Sequence, residues 1–164
     1  LAGPRAQERA ELVDRAATIL APLATAKVPM VFEHGDLSHP NILRRPEGGL
    51  AVVDWERART DGFPLHDLVY LVAYVVESVE RPDTPAELAT ALRTATRAHG
   101  WAGPEIAVYA EALGLDRRLV PLLRVSSWTR RVAQLHPSVA ARPTAARDEV
   151  LWEATLEDAE RALR

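Results

Sequence analysis

At 164 residues, with 48% apolar and 26% charged side chains and a formal net charge of −3, the chain has the size of one domain, residues 1–164, able to bury a substantial core. The nearly balanced charge gives no electrostatic case for a nucleic-acid partner, and no apolar run approaches the roughly 20 residues of a membrane span, so a cytoplasmic protein is expected. Cysteine is absent, which excludes disulfides, thiol catalysis and thiolate metal sites.

In chain order, Arg5 to about Ala26 reads as a helix, with Leu12, Ala16, Ile19 and Leu23 at helical spacing and Pro22 fraying its last turn. Pro29 to Glu33 reads as a short strand. Ile42-Leu43 and the buried-strand pattern Leu50 to Val53 flank the turn Pro46-Glu47-Gly48-Gly49, the signature of a β-hairpin. Arg57 to Phe63 reads as a polar loop, and Pro64 to about Glu80 as an enclosed helix, apolar nearly all round. Thr84-Pro85-Ala86-Glu87 is a capping box with Pro at the first helical position, opening a helix with Leu88, Leu92, Ala95 and His99 on one face that stops at Gly100. Gly103-Pro104 opens another helix, ending near Gly114, and Asp116 to about Leu135 forms the next. His136-Pro137-Ser138 through Pro143 breaks it, and Thr144 caps a final helix with Trp152, Leu156, Ala159 and Leu163 on its apolar face. Trp101, Trp128 and Trp152 read as core anchors rather than stacking platforms.

The chemistry concentrates between Val31 and Glu56. The hairpin would bring Asn41 and Asp54 together at one end, and the loop before it would present Asp36 beside them. Such a trio suits magnesium-dependent phosphoryl transfer. One carboxylate accepts the proton of a substrate hydroxyl, while a second carboxylate and an amide oxygen hold the metal against the phosphates. Four residues, Leu37, Ser38, His39 and Pro40, separate Asp36 from Asn41, the spacing of the kinase catalytic loop. Glu56 offers a further metal contact, and His34 reads as a residue that orients the loop backbone.

The run His34-Gly35-Asp36-Leu37-Ser38-His39-Pro40-Asn41-Ile42-Leu43, followed by Val53-Asp54-Trp55-Glu56, resembles the aminoglycoside phosphotransferase and choline kinase branch of the protein-kinase-like fold. The resemblance implies a mainly helical α+β chain, the C-terminal catalytic lobe of that fold, with a small hairpin carrying the metal ligands. It implies Asp36 as catalytic base, Asn41 and Asp54 as magnesium ligands, and ATP as phosphoryl donor. Pro64-Leu65-His66-Asp67-Leu68 looks like the family segment whose Asp braces the catalytic loop. Asp67 is the one charge in the apolar first half of its helix, so its carboxylate should find donors among the loop's backbone N–H groups.

A Gly-rich phosphate loop and a strand lysine, which kinases use to hold the nucleotide, are not found before Val31; Lys27 stands too close to the catalytic loop to be that anchor. The opening Leu1-Ala2-Gly3-Pro4, with Met30 as the only methionine, reads as the tail of a longer polypeptide whose N-terminal nucleotide lobe is the expected partner. For residues 1–164 alone the expectation is weak nucleotide affinity and no activity. The substrate is expected to be a small hydroxyl-bearing molecule, an aminoglycoside-like antibiotic or a metabolite. Two other readings stand beside this one: a non-catalytic, kinase-derived binding module, and a metal-dependent hydrolase using Asp36, Asp54 and Glu56 with His34 or His39 as ligand.

Overall fold

The computed structural model describes residues 4–134 and 143–164, which fall into two compact units, Leu1–Lys27 with Arg118–Arg164, and Val28–Arg117. No described helix is long and apolar enough to cross a membrane.

The first unit is helical. Helix α1 (Pro4–Leu20) packs against α5 (Val120–Ala133) and α6 (Pro143–Ala162). Its core holds Ala16, Ile19, Leu122, Leu123, Trp128, Leu151, Trp152 and Leu156, all buried. Helical spacing puts these residues on facing stripes, and closing the stripes removes their apolar area from water. Trp152 keeps its indole N–H satisfied by donating to Thr129 Oγ1 at 2.9 Å. Asp148, 1% exposed, sits between Arg131 Nε at 3.1 Å and Arg147 Nη1 at 2.8 Å. The α-helix expected to reach Ala26 stops at Leu20 and tightens into a 3-10 turn, Ala21–Ala24. Pro22, which has no N–H to give the α ladder, sits in its first turn. Leu135, the break from His136 to Ser138 and the capping side chain of Thr144 lie outside the described residues.

The second unit carries four short strands and three helices: β1 (Val31–Glu33), β2 (Ile42–Arg44), β3 (Leu50–Val52), β4 (Arg59–Gly62), α2 (His66–Glu80), α3 (Pro85–Thr96) and α4 (Gly103–Ala112). β2 and β3 form the hairpin, in antiparallel register Ile42↔Val52, Leu43↔Ala51, Arg44↔Leu50. Its turn closes through Gly48 N–H to Arg45 C=O and Arg45 N–H to Gly49 C=O, with both glycines at positive φ. The expected burial of the Leu50–Val53 strand is corrected: Leu50 is 66% exposed, because no element covers that face of the two-stranded hairpin among the described residues.

Arg57–Phe63 is not a loop throughout. Arg59–Gly62 is β4, paired antiparallel with β1, its backbone satisfied by a partner distant in sequence rather than by its own weak β-propensity. The helix expected from Pro64 begins at His66, after Leu65 takes a left-handed conformation (φ 71°, ψ −14°). α2 is enclosed from its start through Val76, with His66, Val69, Tyr70, Val72, Ala73 and Val76 buried, while Val79 near its end is exposed. The capping box is present: Glu87 N–H donates to Thr84 Oγ1, and the Glu87 carboxylate accepts the Thr84 N–H. α3 ends at Thr96 rather than Gly100, since Arg97 turns extended and Gly100 N–H returns to Arg97 C=O. Trp128 and Trp152 are buried, whereas Trp101, outside any helix, is 52% exposed and anchors no core.

Candidate active site

β1 delivers the chain to His34, Gly35 and Asp36. Gly35 has φ +82°, and a Cβ there would stand 2.7 Å from the carbonyl oxygen of Arg57, so the path to Asp36 needs glycine. The loop is fixed from the first turn of α2. His34 N–H donates to Asp67 Oδ2 at 2.6 Å, and Gly35 N–H donates to Asp67 Oδ1 at 2.9 Å. A carboxylate in the first turn of a helix is also favoured by the helix dipole. Both Asp67 oxygens therefore hold backbone.

His34 is buried and ties the two acidic segments together. Its Nδ1 accepts the Asp36 N–H at 3.3 Å, which assigns the proton to Nε2; that nitrogen donates to Val53 C=O at 2.9 Å. One neutral ring thus spans the residue at Asp36 and the residue before Asp54. Asn41 adds a second tie. Its Nδ2 donates to Asp36 C=O at 2.9 Å, and its own C=O accepts the Val53 N–H at 3.0 Å. Asn41 closes a 3-10 turn, His39–Asn41, with Pro40 inside it, so the spacing from Asp36 to Asn41 is a compact loop.

Asp54 has left-handed backbone (φ 66°, ψ 57°), a conformation Asp tolerates better than most residues. The indole of Trp55 donates to Val52 C=O at 2.8 Å, and its ring lies 4.6 Å from that of His34 and 5.6 Å from that of Phe32. Trp55 therefore covers the imidazole that joins the segments. The carboxylates of Asp36 and Asp54 and the Oδ1 of Asn41 make no hydrogen bond or ion pair among the described residues. Asp36 is half-buried and Asp54 exposed. Three oxygen-bearing groups are thus brought into neighbouring, mutually bonded segments with their oxygens uncommitted, a donor set that fits a hard divalent cation such as magnesium. Glu56, in the exposed 3-10 turn Trp55–Arg57, is not bonded to these segments.

The hydrolase arrangement is not assembled. Among the described residues no group of three or more His, Asp or Glu is placed to hold a metal ion. Both ring nitrogens of His34 are taken by backbone groups, and His39 places Nδ1 3.4 Å from Ser78 Oγ, its ring 5.8 Å from that of Tyr74.

Two neighbours of the loop carry no signal in the sequence. Glu33, 1% exposed, immediately precedes His34 on β1. Tyr109, on α4, accepts the N–H of left-handed Leu65 through its hydroxyl at 3.4 Å. Burial pushes the Tyr109 hydroxyl above its ordinary value; the Leu65 N–H opposes the rise, and the charges of Asp67 and Glu33 add to it. Tyr109 falls on no motif, and its role needs a helix start distant in sequence.

A sequence model described as the phosphotransferase enzyme family matches residues 1–109, a span that contains every residue of the site above. No curated protein and no solved structure matches the chain.

Proposed function

Because the chain belongs to the phosphotransferase enzyme family, we propose that it carries the catalytic loop of a kinase-like lobe that moves a phosphoryl group from ATP to a hydroxyl of a small molecule. Asp36 accepts the proton of the acceptor hydroxyl as that oxygen attacks in line. Asn41 Oδ1 and the Asp54 carboxylate would hold Mg2+, and Glu56, two residues beyond Asp54, would offer a further metal contact. When bound, Mg2+·ATP supplies the transferable group and the neutralisation of phosphate charge. His34 and Asp67 are positioning residues: both bond their polar atoms to backbone of the loop and of the segment before Asp54. A nucleotide lobe with a glycine loop and a strand lysine is the proposed partner of this lobe, and the acceptor is assigned to the class of aminoglycoside-like antibiotics or hydroxylated metabolites.

The observation that carries this reading is the joint tethering of the Asp36 and Asp54 segments by His34 and Asn41, with the acidic oxygens left uncommitted. The test is transfer of labelled phosphate from Mg2+·ATP to a panel of hydroxyl-bearing small molecules, run on the chain and on any longer polypeptide that carries it. Asp36→Asn should lower transfer by about 10²- to 10⁴-fold, the usual contribution of a general base. Undiminished transfer in that variant removes Asp36 from the mechanism. Calorimetric titration of residues 1–164 with ATP should show binding weaker than micromolar, and tight binding would refute the proposal that a separate nucleotide lobe supplies most of the nucleotide contacts.

A further inference from the structure

The chain of contacts does not end at Asp67. What aims Asp67 at the loop is the way α2 begins, and α2 begins from a buried leucine in left-handed backbone (Leu65, 1% exposed, φ 71°). Such a conformation is unfavourable for a non-glycine residue and persists only where its surroundings enforce it. The Leu65 N–H precedes the helix and has no place in its ladder. It is received by the Tyr109 hydroxyl at 3.4 Å. In turn, Leu65 C=O accepts the Val69 N–H at 2.8 Å, closing the first turn of α2 around Asp67.

We propose that Tyr109 is a positioning residue for the Asp36 loop, acting through Leu65 and Asp67. Its hydroxyl holds the helix start in the one backbone geometry that points both carboxylate oxygens of Asp67 at the His34 and Gly35 amides. The nearness of that hydroxyl to the Asp67 and Glu33 charges agrees with this placement. The functional meaning of the proposal rests on Asp36 being the base, but its physical content does not, and the experiment is chosen to keep the two apart.

The readout is the amide protons of His34 and Gly35 in 15N-labelled protein. The His34 amide, donating to a carboxylate at 2.6 Å, should resonate well downfield. Tyr109→Phe keeps the ring and removes only the hydroxyl. It should move the His34 signal upfield and speed exchange of both amides by about two- to tenfold, the worth of one hydrogen bond. Asp67→Asn should do the same more strongly, and the double variant should resemble Asp67→Asn alone, because Tyr109 acts through that carboxylate. Tyr74→Phe, which removes a hydroxyl bonded to Tyr70 elsewhere on α2, should leave both amides unmoved. Unchanged His34 and Gly35 amides in Tyr109→Phe, additive effects in the double variant, or equal shifts in Tyr74→Phe would each overturn the proposal. Loss of transfer in Asp36→Asn is a separate result, so failure of the functional reading and failure of this one are distinguishable.

Discussion

Two carboxylates, one in each unit, meet the same problem with different partners. Asp148, in the helical unit, is buried between the guanidinium groups of Arg131 and Arg147. Asp67, in the strand-bearing unit, gives both oxygens to backbone N–H groups of His34 and Gly35. A carboxylate paired with side chains fixes side chains, whereas one bonded to amides fixes the path of the main chain. The distribution of unusual backbone follows this division. Among the described residues every positive φ, at Gly35, Gly48, Asp54, Leu65 and the rest, lies within Val28–Arg117. The helical unit obtains its order from apolar stripes and ordinary dihedrals. The other unit uses polar groups to hold a strained path, and its uncommitted acidic oxygens lie on that path.

The contrast can be broken at several points. Asp148→Ala leaves two partly buried guanidinium groups without their shared anion and should cost about 3–5 kcal/mol in urea unfolding; a loss below about 1 kcal/mol would mean that the helical unit does not depend on this triad. Gly35→Ala forces a Cβ against the Arg57 carbonyl at positive φ and should cost about 1–3 kcal/mol, with loss of transfer beyond what the stability change explains. Thr84→Ala removes a capping box that serves α3 alone, an expected loss of about 1 kcal/mol without effect on the His34 amide.

The pair Arg15–Glu160 should matter less. Its atoms are about one-third exposed, so after discounting for solvent screening Glu160→Gln should cost less than about 1 kcal/mol. The bond from Arg15 holds the Glu160 carboxyl below its ordinary value, so the contribution is present above the unfolded carboxylate range and is lost as pH falls through the folded value. Urea midpoints that converge for wild type and variant only at acid pH would show this sign. Smallest of all, Asp36→Asn should change the unfolding free energy by no more than about 0.5 kcal/mol, because no described group depends on that carboxylate. A larger loss would make Asp36 a structural residue and erase the contrast with Asp67.

The members of the candidate site could be read from the chain because their spacing is local: Asp36 and Asn41 share one loop, and a Gly-Gly turn folds Asp54 back toward them. Thr84 and Glu87 were legible as a cap for the same reason. Of the ties, the one from Asp67 to the loop's N–H groups could be expected from a carboxylate in an apolar helix start and from the family resemblance; the His34 bridge to Val53 and the Tyr109 hydroxyl on Leu65 could not, since they join residues 19 and 44 positions apart. β4 was missed because Arg-Thr-Asp-Gly has no alternation and becomes a strand only by pairing with β1. The exposure of Trp101 and Leu50 was missed because apolarity states what a side chain would favour, not whether a neighbour arrives to cover it.

The tip of the β2–β3 hairpin is an experimental handle. A Cβ added at Gly48 or Gly49 would meet nothing within 4 Å, although both positions have positive φ, so a D-residue or an Asn-linked dye suits them. A fluorophore there would sit at the end of a ladder whose last rung, Ile42 with Val52, abuts Asn41 and Val53, roughly 10 Å away at strand spacing. Arrival of a cation or a nucleotide at the acidic oxygens could then be followed by light, without an acceptor molecule in hand.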